Sequence, residues 1–308
     1  MGNIRHRCRP LRAGIVGGVL AIIAAVLLSP GPARGQAKPP SPELVARGKY
    51  VLAAAGGCGC HTDKGKPVNS GGRRYDGPFG TVYSSNITPD RQTGIGDWTD
   101  DQLITAIRLG RRPNGERLIP VHPYPVFNGM AEEDLRAVVA LLRTLPPVNR
   151  PTPAKKITVP LFESVFLPAW LAAFAPRETP PSTAPTSGVA RGEYLVRAVG
   201  HCGECHTPRG LSNATDNSRF LAGTSKGPDG DPVPNITPDK DTGLKWSEEE
   251  IAEFLATGNK PDGDSAQGLM DEVIQGTAAG YKDVTKADRL AIARYLKTLP
   301  PVRNKVSQ

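Results

Sequence analysis

Side chains that can offer sulfur or imidazole are scarce in this chain: its 308 residues include three methionines, five histidines and five cysteines. Aromatic residues make up only 6%, whereas glycine and proline supply 34 and 31 positions. That balance argues against a large aromatic core. It predicts short elements joined by long irregular segments, with a cofactor filling much of the apolar interior. At roughly 100 to 200 residues per domain, the length allows two domains, each able to bury a core.

No apolar run reaches the roughly 20 residues needed to span a bilayer. The longest, "AGIVGGVLAIIAAVLL", has 16. It follows the arginine-rich "MGNIRHRCRPLR" and precedes "SPGPARGQA", where small residues offer cleavage after Gly35 or Ala37. Residues 1–35 therefore read as an export signal peptide rather than an uncleaved membrane anchor, and Cys8 leaves with them. A strong charge excess is also missing. Loss of Arg5, Arg7, Arg9, Arg12 and Arg34 takes 38 basic residues to 33 against 30 acidic ones, or +3, which argues against a nucleic-acid partner. Export places the other four cysteines in an oxidising compartment, where disulfides compete with any cofactor.

What the chain does have is one unit written twice. "VARGKYVLAAAGGCGCHTDKG" (45–65) matches "VARGEYLVRAVGHCGECHTPRG" (189–210). "NITPDRQTGIGDWTDDQLITAIRLGRRPNG" (86–115) matches "NITPDKDTGLKWSEEEIAEFLATGNKPDG" (235–263), and "LRAVVALLRTLPPV" (135–148) matches "RLAIARYLKTLPPV" (289–302). The blocks recur in one order at nearly one spacing, which predicts two tandem all-α domains, 41–150 and 186–308.

In each domain a first helix, starting near Pro42 or Gly188, leads into the cysteines. A middle helix opens at Thr99 or Ser247, with Gln102 or Glu250 three residues on as a capping box. The last helix carries Leu135, Val138, Val139, Leu142 and Leu145 on one face, or Ile292, Ala293, Leu296 and Leu299, and is stopped by Pro-Pro. Strand signals are sparse. The connector, 151–185, is proline-rich at its ends but apolar from Leu161 to Phe174. It is expected to brace the two domains; a docking surface for a membrane subunit or partner is the alternative.

Cys202, Cys205 and His206 stand in the spacing Cys-x-x-Cys-His, a covalent c-type haem attachment site. Two thiols meet the haem vinyl groups and the imidazole rises to the iron. A four-cysteine zinc site would leave the histidine after each pair unexplained, and a Cys-x-Cys disulfide is strained. Cys58, Cys60 and His61 form a copy short by one residue. On a helix, side chains two apart point about 200° from each other, whereas three apart they differ by about 60°. Gly56, Gly57 and Gly59 free the backbone from that geometry. Attachment there is thus expected through both thiols or through Cys60 alone. Two haem c groups are expected in all.

A haem that only carries electrons has a protein ligand on both faces. Met270, the one methionine of the second unit, is the expected distal ligand there. In the first unit the candidates are His122, in the stiff loop "IPVHPYP", and Met130, which reads better as a packing residue. His201 reads as a partly exposed neighbour of the haem.

The motifs "ARGEYL", "CGECHT", "NITPD", "TGIGDW", "PDG" and "LKTLPPV", covering most of 41–150 and 186–302, resemble those of the c-type cytochrome subunits of bacterial periplasmic membrane-bound dehydrogenases for alcohol, gluconate and aldehyde. The resemblance implies class I cytochrome c-like domains. It implies a periplasmic location, with membrane association through a partner. It also implies electrons received from a dehydrogenase subunit and passed to quinone, an oxidase or another cytochrome. That family reads Met-Pro-Tyr where this chain has His122-Pro123-Tyr124, which favours His122 as distal ligand. The shortened first motif, and two units where many relatives have three, are departures. The rival reading is a dihaem redox enzyme, of thiosulfate dehydrogenase or peroxidase type, with substrate at the divergent first haem.

Overall fold

The computed structural model describes Gly2 and residues 39–175 and 179–306. The expected export signal lies, but for Gly2, outside the described residues. The chain divides into two units, Met1–Pro39 and Pro40–Gln308, and every element below belongs to the second.

Local chemistry sets the helix boundaries. Helix α1 (Pro42–Ala54) starts where Ser41 Oγ accepts the Leu44 N–H at 3.3 Å, with Pro42 at the position where a missing N–H costs nothing. Helix α2 (Asp100–Leu109) opens with the expected capping box: the Gln102 N–H donates to Thr99 Oγ1 (3.2 Å) and the Thr99 N–H to Gln102 Oε1 (2.9 Å). After the short α3 (Tyr124–Phe127) comes α4 (Glu132–Thr144). Helix α5 (Leu167–Phe174) lies in the connector. The second half repeats the order. Helix α6 (Gly188–Tyr194) runs on through a π-helical turn, Leu195–Val199, to α7 (Gly203–His206), and α8 (Glu248–Thr257) has its own capping box from Ser247 and Glu250. Helices α9 (Gly268–Gln275) and α10 (Lys286–Thr298) complete it. A capping interaction of this kind contributes about 1 kcal/mol.

First and last helices of each half cross at a glycine. A Cβ on Gly48 of α1 would come within 2.0 Å of the Ala137 carbonyl oxygen on α4, and one on Gly192 of α6 within 1.9 Å of that of Ala291 on α10. Only glycine lets these backbones approach so closely. Of the expected apolar faces, Leu135, Val139 and Leu142 are buried on α4 and Ile292, Ala293 and Leu296 on α10, with Val138, Leu145 and Leu299 partly buried against the same core.

That core is continuous across both halves, and a reciprocal polar contact crosses it. Tyr194 donates to Asp134 at 2.7 Å, and Tyr50 to Asp288 at 2.7 Å. Each aspartate also holds the arginine of its own half, Arg47–Asp134 at 2.8 Å and Arg191–Asp288 at 2.7 Å. The tyrosine hydroxyls accept backbone N–H groups at matching places, Ala131 (3.1 Å) and Thr285 (3.2 Å). The repeated Arg-Gly-x-Tyr motif thus carries its arginine inward to its own half and its tyrosine across to the other.

The chain is mostly helical, but the all-α expectation needs one correction. Strands β1 (Arg74–Gly77) and β2 (Gly80–Tyr83) form an antiparallel hairpin with Arg74 opposite Tyr83 and Gly77 opposite Gly80. The connector adds β3 (Lys156–Ile157), with Thr81 opposite Lys156. Gly80 makes the joint possible: it sits at φ 121° and a Cβ there would strike the Lys156 carbonyl oxygen. Sequence patterning overlooked the sheet because one of its three strands is a two-residue piece more than 70 residues downstream. Elsewhere the connector rests on both halves, through the Phe79–Phe162 ring pair (5.6 Å) and a hydrogen bond from Trp170 Nε1 to the Ser212 carbonyl (2.8 Å), with Leu167 buried. Among the described residues no helix is long and apolar enough to cross a membrane.

Candidate functional site

The two attachment segments leave their first helices through the same left-handed corner but turn differently afterwards. In the first half, Gly56 (φ 76°) and Gly57 (φ 78°) break α1, and Gly59–His61 form a single 3₁₀ turn. In the second half, Gly200 and His201 lead into the four-residue α7. The one-residue difference in sequence is therefore absorbed in the turn itself. Cys60 is exposed, whereas Cys58, Cys202 and Cys205 are partly buried, and all four thiols are free. No group of three histidine, cysteine or acidic side chains among the described residues is arranged to hold a metal ion. Burial pushes the Cys58 thiol up to about 12, Cys202 to about 11 and Cys205 to about 12. An apolar setting that penalises a thiolate suits a neutral thioether.

Both motif histidines are prepared alike. His61 Nδ1 lies 2.8 Å from the Ser85 carbonyl and His206 Nδ1 2.9 Å from that of Pro234. With the proton held at Nδ1, the lone pair sits on Nε2, the nitrogen left for a metal. Burial lowers the proton affinity of both rings, so each is neutral at pH 7. The carbonyl acceptors are held by the Asn-Ile-Thr motifs. Asn86 Nδ2 donates to the Val148 carbonyl, and Asn235 Nδ2 to that of Val302, both at 2.8 Å; each asparagine Oδ1 accepts the hydroxyl of Thr88 or Thr237 at 2.7 Å. The loop behind each histidine is thereby tied to the Pro-Pro-Val that ends the last helix. The Gly71 and Gly223 N–H groups bind the carbonyl oxygens of His61 and His206, both at 2.7 Å.

The structure brings His122 to His61. Their ring centroids are 6.3 Å apart. Both rings could then serve as ligands to one haem iron, which would supply one-electron exchange there. Burial first, then the neighbouring His61 and His201, pushes His122 down to about 3, so it too is an uncharged donor. Met130 is 97% buried in the core, as befits a packing residue. Met270 lies partly buried on α9 against the core, and no hydrogen bond joins it to His206 among the described residues. His122 and Met270 nevertheless occupy matching places, each seven residues after the glycine of Pro-Asn-Gly or Pro-Asp-Gly, Gly115 and Gly263.

Sequence reasoning missed the supporting residues. Ser85 and Pro234 act through backbone carbonyls, which carry no residue signature; only their shared place before Asn-Ile-Thr marks them. Arg112 donates to Ser85 Oγ at 2.7 Å, while its buried Nε has no hydrogen-bond partner and stands 3.7 Å from Glu116. A partly exposed guanidinium bonded to the residue that holds His61 suits the acidic edge of a haem.

A cytochrome c family profile matches residues 189–300. The dihaem cytochrome c-type protein of Cereibacter sphaeroides is 38% identical over 275 residues, covering 85% of this chain and 90% of its own length. The chain belongs to the cytochrome c family. The gluconate 2-dehydrogenase cytochrome c subunit of Pantoea cypripedii is 38% identical to this cytochrome over 292 residues, 91% of the chain and 64% of the relative. The cytochrome c subunit of the alcohol dehydrogenase (quinone) of Gluconobacter oxydans is 37% identical over 268 residues, 84% and 55%. This cytochrome thus spans a little over half to two thirds of those two subunits. A cytochrome c domain implies haem c, and the fixed imidazoles and free thiols fit that group.

Proposed function

We propose that this chain is an exported dihaem cytochrome c, with haem-binding domains at 41–150 and 186–308 and a connector at 151–185, that relays electrons in the periplasm. The donor is a periplasmic or membrane-bound dehydrogenase subunit; the acceptor is quinone, an oxidase or another cytochrome. The names of the gluconate and alcohol dehydrogenase relatives support a dehydrogenase partner, and the quinone in one of them supports that acceptor.

Bound haem supplies one-electron exchange at iron. The chain's part is to attach it through Cys202 and Cys205 in the second half and through Cys60, alone or with Cys58, in the first, and to hold His61 and His206 at a fixed tautomer. His122 and Met270 serve as distal ligands. The observation that carries the relay reading is the facing pair His61 and His122, 6.3 Å apart. An enzyme of the peroxidase or thiosulfate dehydrogenase type needs an open or displaceable position at the first centre, whereas in the relay reading His122 keeps that position filled.

Intact mass and a denaturing haem stain should give two covalent haems per chain. Carbon monoxide on the reduced protein, or cyanide on the oxidised one, should bind slowly and incompletely at neutral pH. Rapid stoichiometric binding at one centre would overturn the relay and favour the enzyme.

A further inference from the structure

The two centres are linked by rings. The His122 centroid lies 5.4 Å from that of Phe127 on α3, and Phe127 meets His201 edge-on at 5.5 Å. His201 is joined directly to Cys202 in the chain. A continuous path of π-systems therefore runs from the distal histidine of the first centre to the attachment turn of the second. No corresponding ring series runs the other way among the described residues: α9 meets the first attachment turn through Val273 against Gly56 and the Arg73–Glu272 ion pair at 2.8 Å.

His201 is also one of five non-glycine residues held at positive φ among the described residues. Its φ is 41°, in the left-handed region, where the first half has Gly57 at 78°. Strain of this kind persists where surrounding structure imposes it, and it collects at functional sites. The fold could relax here by adopting the glycine of its own repeat. The imidazole instead lies within reach of the Ala55 backbone of the other half.

We propose that Phe127 and His201 form an aromatic bridge that couples the two redox centres, so that electrons pass between them along His122, Phe127, His201 and Cys202. The proposal rests on the dihaem relay reading. One electron lost at one centre is gained at the other; the bridging rings are neither oxidised, reduced nor protonated overall, and supply only the overlap.

The test uses the holoprotein with His201→Gly, which restores the residue of the first half and relieves the strain, and with Phe127→Leu. A single electron injected by flash photoreduction is followed as it distributes between the centres, alongside haem content by mass and a redox titration. In each variant the transfer rate should fall several-fold, with haem content and both midpoints as in the wild type. The double variant should be no slower than the slower single one, as expected for two links in series. Unchanged rates in both fully loaded variants would overturn the bridge, as would slowing fully accounted for by shifted midpoints. A wild-type chain with one haem would overturn the relay reading itself, and that failure appears before any variant is made.

Discussion

Cys58–His61 and Cys202–His206 deliver a histidine to the same kind of place by different turns. The first uses a single 3₁₀ turn entered through two left-handed glycines; the second uses four α-helical residues entered through a left-handed histidine. Yet Nδ1 meets a backbone carbonyl at 2.8 Å in one and 2.9 Å in the other. The position of the imidazole is set by the Asn-Ile-Thr loop behind it, which the halves share, and the placing of the thiols by the turn, which they do not. The halves differ in the turn that carries the thiols, not in the carbonyl that holds the histidine.

The sharpest way to break that comparison is at the cysteines. Cys60→Ala should remove most haem from the first half, whereas Cys58→Ala should leave it bound through Cys60; in the second half Cys202→Ala should leave haem held by Cys205. Intact mass with a haem stain reads this directly, and equal loss from Cys58→Ala and Cys60→Ala would mean that both thioethers form despite the short spacing.

The next largest effect is on potential. A thioether favours the reduced iron and a second imidazole the oxidised one, so the His61/His122 centre should be the lower of two resolved midpoints and the His206/Met270 centre the upper. His122→Met should raise the lower midpoint toward the upper and Met270→His should lower the upper one, in a redox titration with optical readout. Two unmoved midpoints would show that the distal ligands lie elsewhere.

Smaller effects come from the crossing tyrosines, which are alike in partners but not in depth. Tyr194 is 95% buried, whereas Tyr50 is only partly buried. A buried hydrogen bond to a charged group contributes roughly 1.5–3 kcal/mol, so Tyr194→Phe should cost about 2 kcal/mol and Tyr50→Phe about 1 kcal/mol by denaturant titration. Similar costs would mean that depth does not separate the two contacts.

Their hydroxyls also predict a pH response. Burial, then the charge of Asp134 and the hydrogen bond to it, pushes Tyr194 above the ordinary tyrosine range; burial does the same for Tyr50, with Asp288 adding to it. The folded protein therefore keeps a proton that the unfolded chain loses near pH 10. This contribution is fully present below pH about 10 and falls away as pH rises through the raised values. Tyr194→Phe should flatten the alkaline loss of stability more than Tyr50→Phe, as followed by urea midpoints from pH 9 to 11.

Helix starts at Thr99 and Ser247, the stops after Leu145 and Leu299, the repeated blocks and the Cys-x-x-Cys-His motif were legible in the sequence because each rests on neighbours within one or two helical turns. The prolines around His122 and the resemblance made it a candidate, and the structure sets its ring near that of His61. The sheet was not legible, since β3 joins from across the connector, and neither were the Ser85 and Pro234 carbonyls, because any residue can supply one. The exchange of Tyr50 and Tyr194 across the core joins positions 238 and 60 residues apart, and the ring path from His122 through Phe127 to His201 crosses from one half to the other. A repeat written twice states what each half builds for itself. Which side chains it spends on the other half depends on how the two pack, and tertiary structure alone decided that.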